Sequence, residues 1–238
     1  MAAQPHVVIL SSPGLGHVTP LLELAKHLVT CYCFQVSFLM SQSESSTGRE
    51  QVCQSACLPS GLNIVNLPPP DLSNVVVDDN DLLGRIFLNV KQTIHSLQPV
   101  LQQFHNVTVF IVDMFFIEAI DVIKELSIPT YIFFTCSANL LASLLSFPTL
   151  DQELKHDFSG VRILNFPGCK AIPVTDLFDS IVDRRVLPMA SRFPEAAGIL
   201  MNAWEELEPI TLHALRENLF FIQRPTTSVC SRTGNQDE

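Results

Sequence analysis

Basic residues are scarce in this 238-residue sequence: 14 Lys and Arg stand against 24 Asp and Glu, for a formal net charge of −10. No basic stripe runs along it, which excludes the phosphate-backbone contacts on which nucleic-acid binding rests. Long hydrophobic runs are missing too. The longest apolar clusters, around Tyr131 to Phe134 and Leu140 to Leu145, are broken by Thr135, Ser137, Asn139 and Ser143, so none approaches the roughly 20 residues of a membrane span. The opening MAAQPHVVIL has no basic region and only a short apolar run, so no secretory signal is expected and the chain reads as cytoplasmic. The nucleophile elbow G-x-S-x-G of serine hydrolases does not occur. The dinucleotide fingerprint G-x-G-x-x-G also fails, because Gly14 and Gly16 are followed by Thr19 where a third glycine is required. Seven cysteines, an odd number without framework spacing, read as reduced thiols. Cys31-x-Cys33 and Cys53-x3-Cys57 fall on helix-like stretches with no matching histidine, so no metal site is expected. The Asn106-Val107-Thr108 sequon leads straight into a buried strand and reads as coincidence.

What is present is a core. Apolar residues make up 47% of the chain and charged residues only 16%, a composition that rules out wholesale disorder. Short β-branched runs alternate with helical periodicity. Strands are predicted at 6–11, 35–40, 62–66, 108–112, 129–134 and 198–202, and helices at 17–30, 47–57, 82–104, 116–126, 137–146, 180–193 and 205–217. This alternation predicts an α/β, doubly wound, mostly parallel sheet with a helix layer on each face. There is no internal repeat. Leu67 to Asp81, with Pro68-Pro69-Pro70, reads as an exposed loop, 147–178 as an irregular connection, and Arg224 to Glu238 as a frayed tail.

The chemistry gathers where strands end. In open α/β sheets, ligands bind at the carboxyl ends of the strands. The first strand runs into Ser11-Ser12 and a turn carrying Gly16 and His17; a later apolar strand ends in Asp113; another ends in Thr135. A buried carboxylate needs a partner, and an imidazole is a natural one. Such a pair makes a general base: the Asp accepts one ring N–H, fixes the tautomer and balances the charge when the other nitrogen takes a proton. Without a nucleophile elbow, the base would act on a substrate hydroxyl. The alternative is plainer: His17 and Asp113 each cap a helix and form a structural ion pair.

The segment HVVILSSPGLGHVTPLLELAKHLV resembles the opening of plant UDP-sugar glycosyltransferases, which transfer glucose to small phenolics. FIVDMFFIEAIDVIKELSIPTYIFFTCSA is similar to that family's aspartate strand and the strand after it. PGCKAIPVTDLFD and AAGILMNAWEELEPITLHALRE are similar to its later landmarks. The resemblance extends in order from residue 6 to about 220, and is greatest to the branch of hydroquinone, monolignol and anthocyanidin 3-O-glucosyltransferases.

That resemblance implies the N-terminal, acceptor-binding half of a GT-B glycosyltransferase, a Rossmann-like domain over residues 1–220. It implies His17 as the base on the acceptor hydroxyl, with Asp113 orienting it. It places Ser12 and Thr135 near the donor's phosphate or sugar, and Gly16, His17 and Phe116 against the acceptor. Phe116 stands where the family often has glycine. The implied co-substrate is UDP-glucose or another UDP-sugar, with no metal, and the implied partner is a small phenolic; the face across the cleft would promote self-association. The family's donor signature is not found, and NLFFIQRPTTSVCSRTGNQDE resembles nothing in it. The expectation is therefore that residues 221–238 form a divergent, disordered tail, that the donor domain is absent and that the chain alone does not transfer sugar. The alternative is a non-catalytic phenolic-binding or partner-binding product.

Overall fold

The computed structural model describes residues 4–41, 58–69, 81–153, 161–174, 185–218 and 222–223. The helix expected at 47–57, the middle of the 67–81 loop, residues 180–184 of another expected helix and the tail from Arg224 lie outside them.

Among the described residues seven strands form one sheet: β1 (His6–Ser11), β2 (Gln35–Met40), β3 (Leu62–Asn66), β4 (Val107–Asp113), β5 (Thr130–Phe134), β8 (Gly198–Met201) and β9 (Ile222–Gln223). Their order is β3-β2-β1-β4-β5-β8-β9, with every pairing parallel. Period-two alternation sorts the side chains. Val8, Leu10, Phe110, Val112, Ile132 and Phe134 face one core, while Val7, Ile9, Phe38, Ile111 and Phe133 face the other. Both faces are covered, so the strands read as near-continuous apolar runs. The direction of winding reverses at β1, between β2 and β4. The crevice at their carboxyl ends is therefore a topological switch point.

Helix α1 (Leu15–Tyr32) covers the second core with Val18, Leu21, Leu22, Ala25 and Val29, spaced at helical period. It ends at Cys33, whose left-handed backbone (φ 56°) returns its N–H to the Leu28 carbonyl. On the other face lie α2 (Leu82–His95), α3 (Leu97–Leu101), α4 (Ile120–Lys124), α5 (Ala138–Glu153), α6 (Val186–Arg192) and α7 (Pro209–Asn218). A two-residue hairpin pairs β6 (Ile163–Leu164) with β7 (Ile172–Pro173). Among the described residues no helix is long and apolar enough to cross a membrane.

Several expected bounds move, each for a local reason. The single helix expected over 82–104 breaks at Ser96, because the ring of Pro99 cannot sit against the carbonyl of residue 95 in a continuous helix. The helix expected from 116 begins instead as a 3₁₀ turn, Met114–Ala119, in which Phe116 departs from helical angles (φ −89°, ψ 19°). Helix α5 carries on past Pro148 to Glu153, into the stretch expected to be irregular. Helix α7 starts at Pro209, a residue suited to a helix's first position, and so four residues later than expected. The sequence gives no hint of β9, which is only two residues long.

Candidate active site

The carboxyl ends of β1, β4 and β5 meet beside the first turn of α1. Asp113, the last residue of β4, is fully closed to solvent. Its two oxygens have separate partners. Oδ2 lies 2.7 Å from Nδ1 of His17. Oδ1 accepts the Ser12 hydroxyl at 2.5 Å and the backbone N–H of Phe115 at 3.1 Å. A buried carboxylate thus collects three donors from three segments, which fixes it in place.

His17 is the third residue of α1, and its side chain keeps 22% of its exposure. With Nδ1 donating to Asp113, the lone pair belongs to Nε2, which forms no hydrogen bond among the described residues. Thr135 Oγ1 stands 3.3 Å from the same Nδ1. Burial pulls the imidazole pKa down, but the hydrogen bond and charge of Asp113 outweigh it and leave it above 6.5. Next door, burial pushes the Cys136 thiol up, with the Asp113 charge adding to the effect, so Cys136 is not a thiolate. Among the described residues no cluster of three or more His, Cys, Asp or Glu could hold a metal ion.

His17, Asp113, Ser12 and Thr135 therefore converge as a group. Ser12 is buried, and its hydroxyl is donated to Asp113. Phe116 needs correcting. It is fully buried in the core, and Phe115 is the aromatic that meets the imidazole, with ring centroids 5.3 Å apart. The signal for Phe115 was present in the Asp-Met-Phe-Phe run, but a 3₁₀ turn follows a different period from an α-helix and changes which ring faces the site. Phe115 also packs edge-on against Phe87 and lines a cavity of about 290 Å³ with Phe87, Val90, Ile117 and Met189.

The glycines act differently from the tight turn they suggest. Gly14 is the N-cap of α1 with an extended backbone (φ 168°) that any residue can adopt. A Cβ on Gly16 would meet nothing within 4 Å, so Gly16 is exposed backbone beside His17. No side chain caps the α1 N-terminus, and its first turn carries no acidic residue.

A parallel sheet of this order, with a His–Asp pair at its switch point, defines a Rossmann-like domain with a candidate general-base site at its strand ends. Through about nine-tenths of its length the chain is similar to plant UDP-glycosyltransferases of the GT-B fold. It is 35% identical over 226 residues to anthocyanidin 3-O-glucosyltransferase 5 of Manihot esculenta, covering 92% of this chain and 46% of that protein. It is 31% identical over 227 residues to the hydroquinone glucosyltransferase of Rauvolfia serpentina, covering 91% and 48%. The structure of Phytolacca americana UGT2 complexed with UDP-2-fluoro-glucose and pterostilbene matches with a TM-score of 0.80 and 30% identity, covering 91% of this chain and 52% of that one. No family model matches the chain. The chain spans about half the length of the relatives it matches.

Proposed function

We propose that this chain is the acceptor half of a UDP-glucose-dependent glucosyltransferase acting on the hydroxyls of small plant phenolics. The observation that carries the reading is the His17–Asp113 pair: a buried carboxylate on Nδ1, and Nε2 left free on the open side. In the reaction, Nε2 takes the acceptor's hydroxyl proton as the acceptor oxygen attacks the anomeric carbon of the sugar. The bond from that carbon to the UDP oxygen breaks, UDP leaves, and the configuration inverts. The Asp113 carboxylate holds Nδ1–H and balances the imidazolium. Phe115 offers an aromatic face to a phenol ring, and the cavity it lines with Phe87 also carries the charged Lys91, Glu118 and Arg185. The relatives' named activities, on anthocyanidin and hydroquinone, and the pterostilbene complex support a phenolic acceptor. UDP-glucose, or another UDP-sugar, is the co-substrate in this reading.

The test is to incubate the chain, alone and fused to the remaining half of the Manihot esculenta relative, with UDP-glucose and a panel of phenols. Glucoside is read by mass spectrometry. The fused protein should form product and the 238-residue chain alone should not. Leaving-group charge builds on UDP, and groups that stabilise such charge usually supply the largest catalytic effect. In the fused protein His17→Ala should cost about 10²–10⁴-fold in kcat/KM; unchanged turnover would remove His17 from the chemistry. Phenol binding by a fused protein that never forms glucoside would overturn this reading in favour of phenol binding without sugar transfer.

A further inference from the structure

Two landmarks of the sequence, PGCK and WEELEP, contribute nothing to the His17 site directly, yet they meet at its edge. Only residues 135–137 connect the end of β5 to the start of α5, and Thr135 is the first of them. The start of α5 is tied down from outside. Glu208 accepts the backbone N–H of Ala138 on Oε2 at 2.9 Å and that of Asn139 on Oε1 at 3.2 Å. Ser137 Oγ accepts the N–H of Leu140 at 3.2 Å. The otherwise unpaired amides of this first turn are thus satisfied, two of them by one carboxylate about 70 residues away. A carboxylate suits the place because the N-terminal end of a helix is its positive end.

Glu208 is itself held. Pro209 follows it and fixes the backbone entering α7. Two residues further into α7, Thr211 donates its hydroxyl to the Gly168 carbonyl at 2.7 Å and lies 2.8 Å from the side-chain oxygen of Asn139. Gly168 has a left-handed backbone (φ +72°), and a Cβ there would come within 2.6 Å of Ala214 Cβ. Only glycine allows this approach. Across the sheet edge, the N–H of Asn202 reaches the Phe134 carbonyl at 3.2 Å.

We propose that Glu208 is a positioning residue for the imidazole site: it pins the first turn of α5 and through it holds the Thr135 hydroxyl against His17. This rests on the reading of His17 as the base. Thr135 Oγ1 stands 3.3 Å from the same Nδ1 that meets Asp113, so its place bears on the tautomer and basicity of the ring. In enzymes, a misplacement of about 1 Å costs on the order of 10²-fold in rate.

The experiment needs neither UDP-sugar nor phenol, so its failure is separate from any failure of the glycosyltransferase reading. The His17 ring is followed by ¹⁵N NMR across pH in the 238-residue chain and in Thr135→Val, Glu208→Ala, the double variant and Glu208→Gln. Thr135→Val removes an acceptor that favours the charged ring, so the His17 pKa should fall by a few tenths of a pH unit. Glu208→Ala should lower it by a similar amount, and the double variant should move no further than Thr135→Val. Glu208→Gln, which keeps one acceptor oxygen, should recover roughly half of the shift. An unchanged His17 signal in Glu208→Ala would overturn the proposal. So would a double-variant shift equal to the sum of the two single ones, which is the signature of lost charge acting at a distance rather than of positioning. Should Glu208→Ala unfold, Glu208→Gln carries the test alone: a partial shift absorbed by Thr135→Val is expected, and none overturns the proposal.

Discussion

Ser12 donates its hydroxyl to Oδ1 of Asp113 at 2.5 Å, with both side chains closed to solvent. The serine that the resemblance places near a donor phosphate is thus a brace for the carboxylate that holds the base. Ser12→Ala leaves Oδ1 with the Phe115 amide alone. Loss of a hydrogen bond to a buried charge should destabilise the chain by about 1.5–3 kcal/mol. A urea midpoint within error of wild type would show that water replaces the hydroxyl.

The His17–Asp113 pair has a signed pH signature. Burial lowers the His17 pKa, the Asp113 hydrogen bond and charge raise it, and the sum lies above 6.5. The folded state therefore binds this proton more tightly than the unfolded one. The pair's contribution to stability is fully present below the unfolded pKa and is lost as pH rises through the raised folded pKa. In Asp113→Asn the charge is gone and burial is opposed by at most a neutral acceptor, so the His17 pKa should fall and this window should shrink. Unfolding free energies across pH, with NMR titration of His17, read both effects. In the fused enzyme the rate should rise with pH through the same pKa, because the base must be neutral to accept a proton.

Gly16 separates helix stability from function. A methyl group there meets nothing within 4 Å. Gly16→Ala should therefore stabilise α1 by up to about 1 kcal/mol. If an acceptor uses the open space beside His17, phenol affinity should drop in the same variant. A gain in thermal midpoint with unchanged phenol binding would take Gly16 out of the acceptor site.

The two neighbouring phenylalanines should divide in the same way. Phe116→Ala opens a cavity in the core and should cost about 3–5 kcal/mol. Phe115→Ala should cost clearly less, since Phe115 is only half-buried, and should instead weaken phenol binding. Paired denaturation and calorimetric titration of both variants check this; equal losses of stability would contradict the assignment.

Trp204, Leu207 and Ile210 lie within seven residues of one another and are 68%, 80% and 74% exposed. A local concentration of apolar surface of this kind favours association. Sedimentation velocity should show concentration-dependent self-association of the chain, relieved by Leu207→Ser with Ile210→Ser. A monomer at all concentrations would assign the ridge no role between copies.

The sheet was legible because both its faces are buried. β1, β4 and β5 carry almost no polar residue until they end, so Asp113 and Thr135 stood out as soon as the apolar runs stopped. His17 was legible because it follows β1 within a turn. What stayed hidden depends on contacts that pattern does not carry. The partnership of Ser12 with Asp113 spans 101 residues, and that of Glu208 with the start of α5 about 70. The exchange of Phe115 for Phe116 turned on the 3₁₀ geometry after Asp113, where helical periodicity gives the wrong ring. Helix ends moved mainly where proline sits, at Pro99 and Pro209, since a periodic apolar pattern runs across such breaks unchanged.

Among the described residues, α1 and α5 both open onto this edge of the sheet. The start of α5 has the Glu208 carboxylate on its amides. The start of α1 has no cap from its own segment, and the Asp113 carboxylate stands beside its first turn, held by His17 and Ser12. Each positive helix end is thus met by a carboxylate from a distant stretch of the chain. The crevice comes into being only when those far-apart stretches have docked, so its chemistry reports on the completeness of folding.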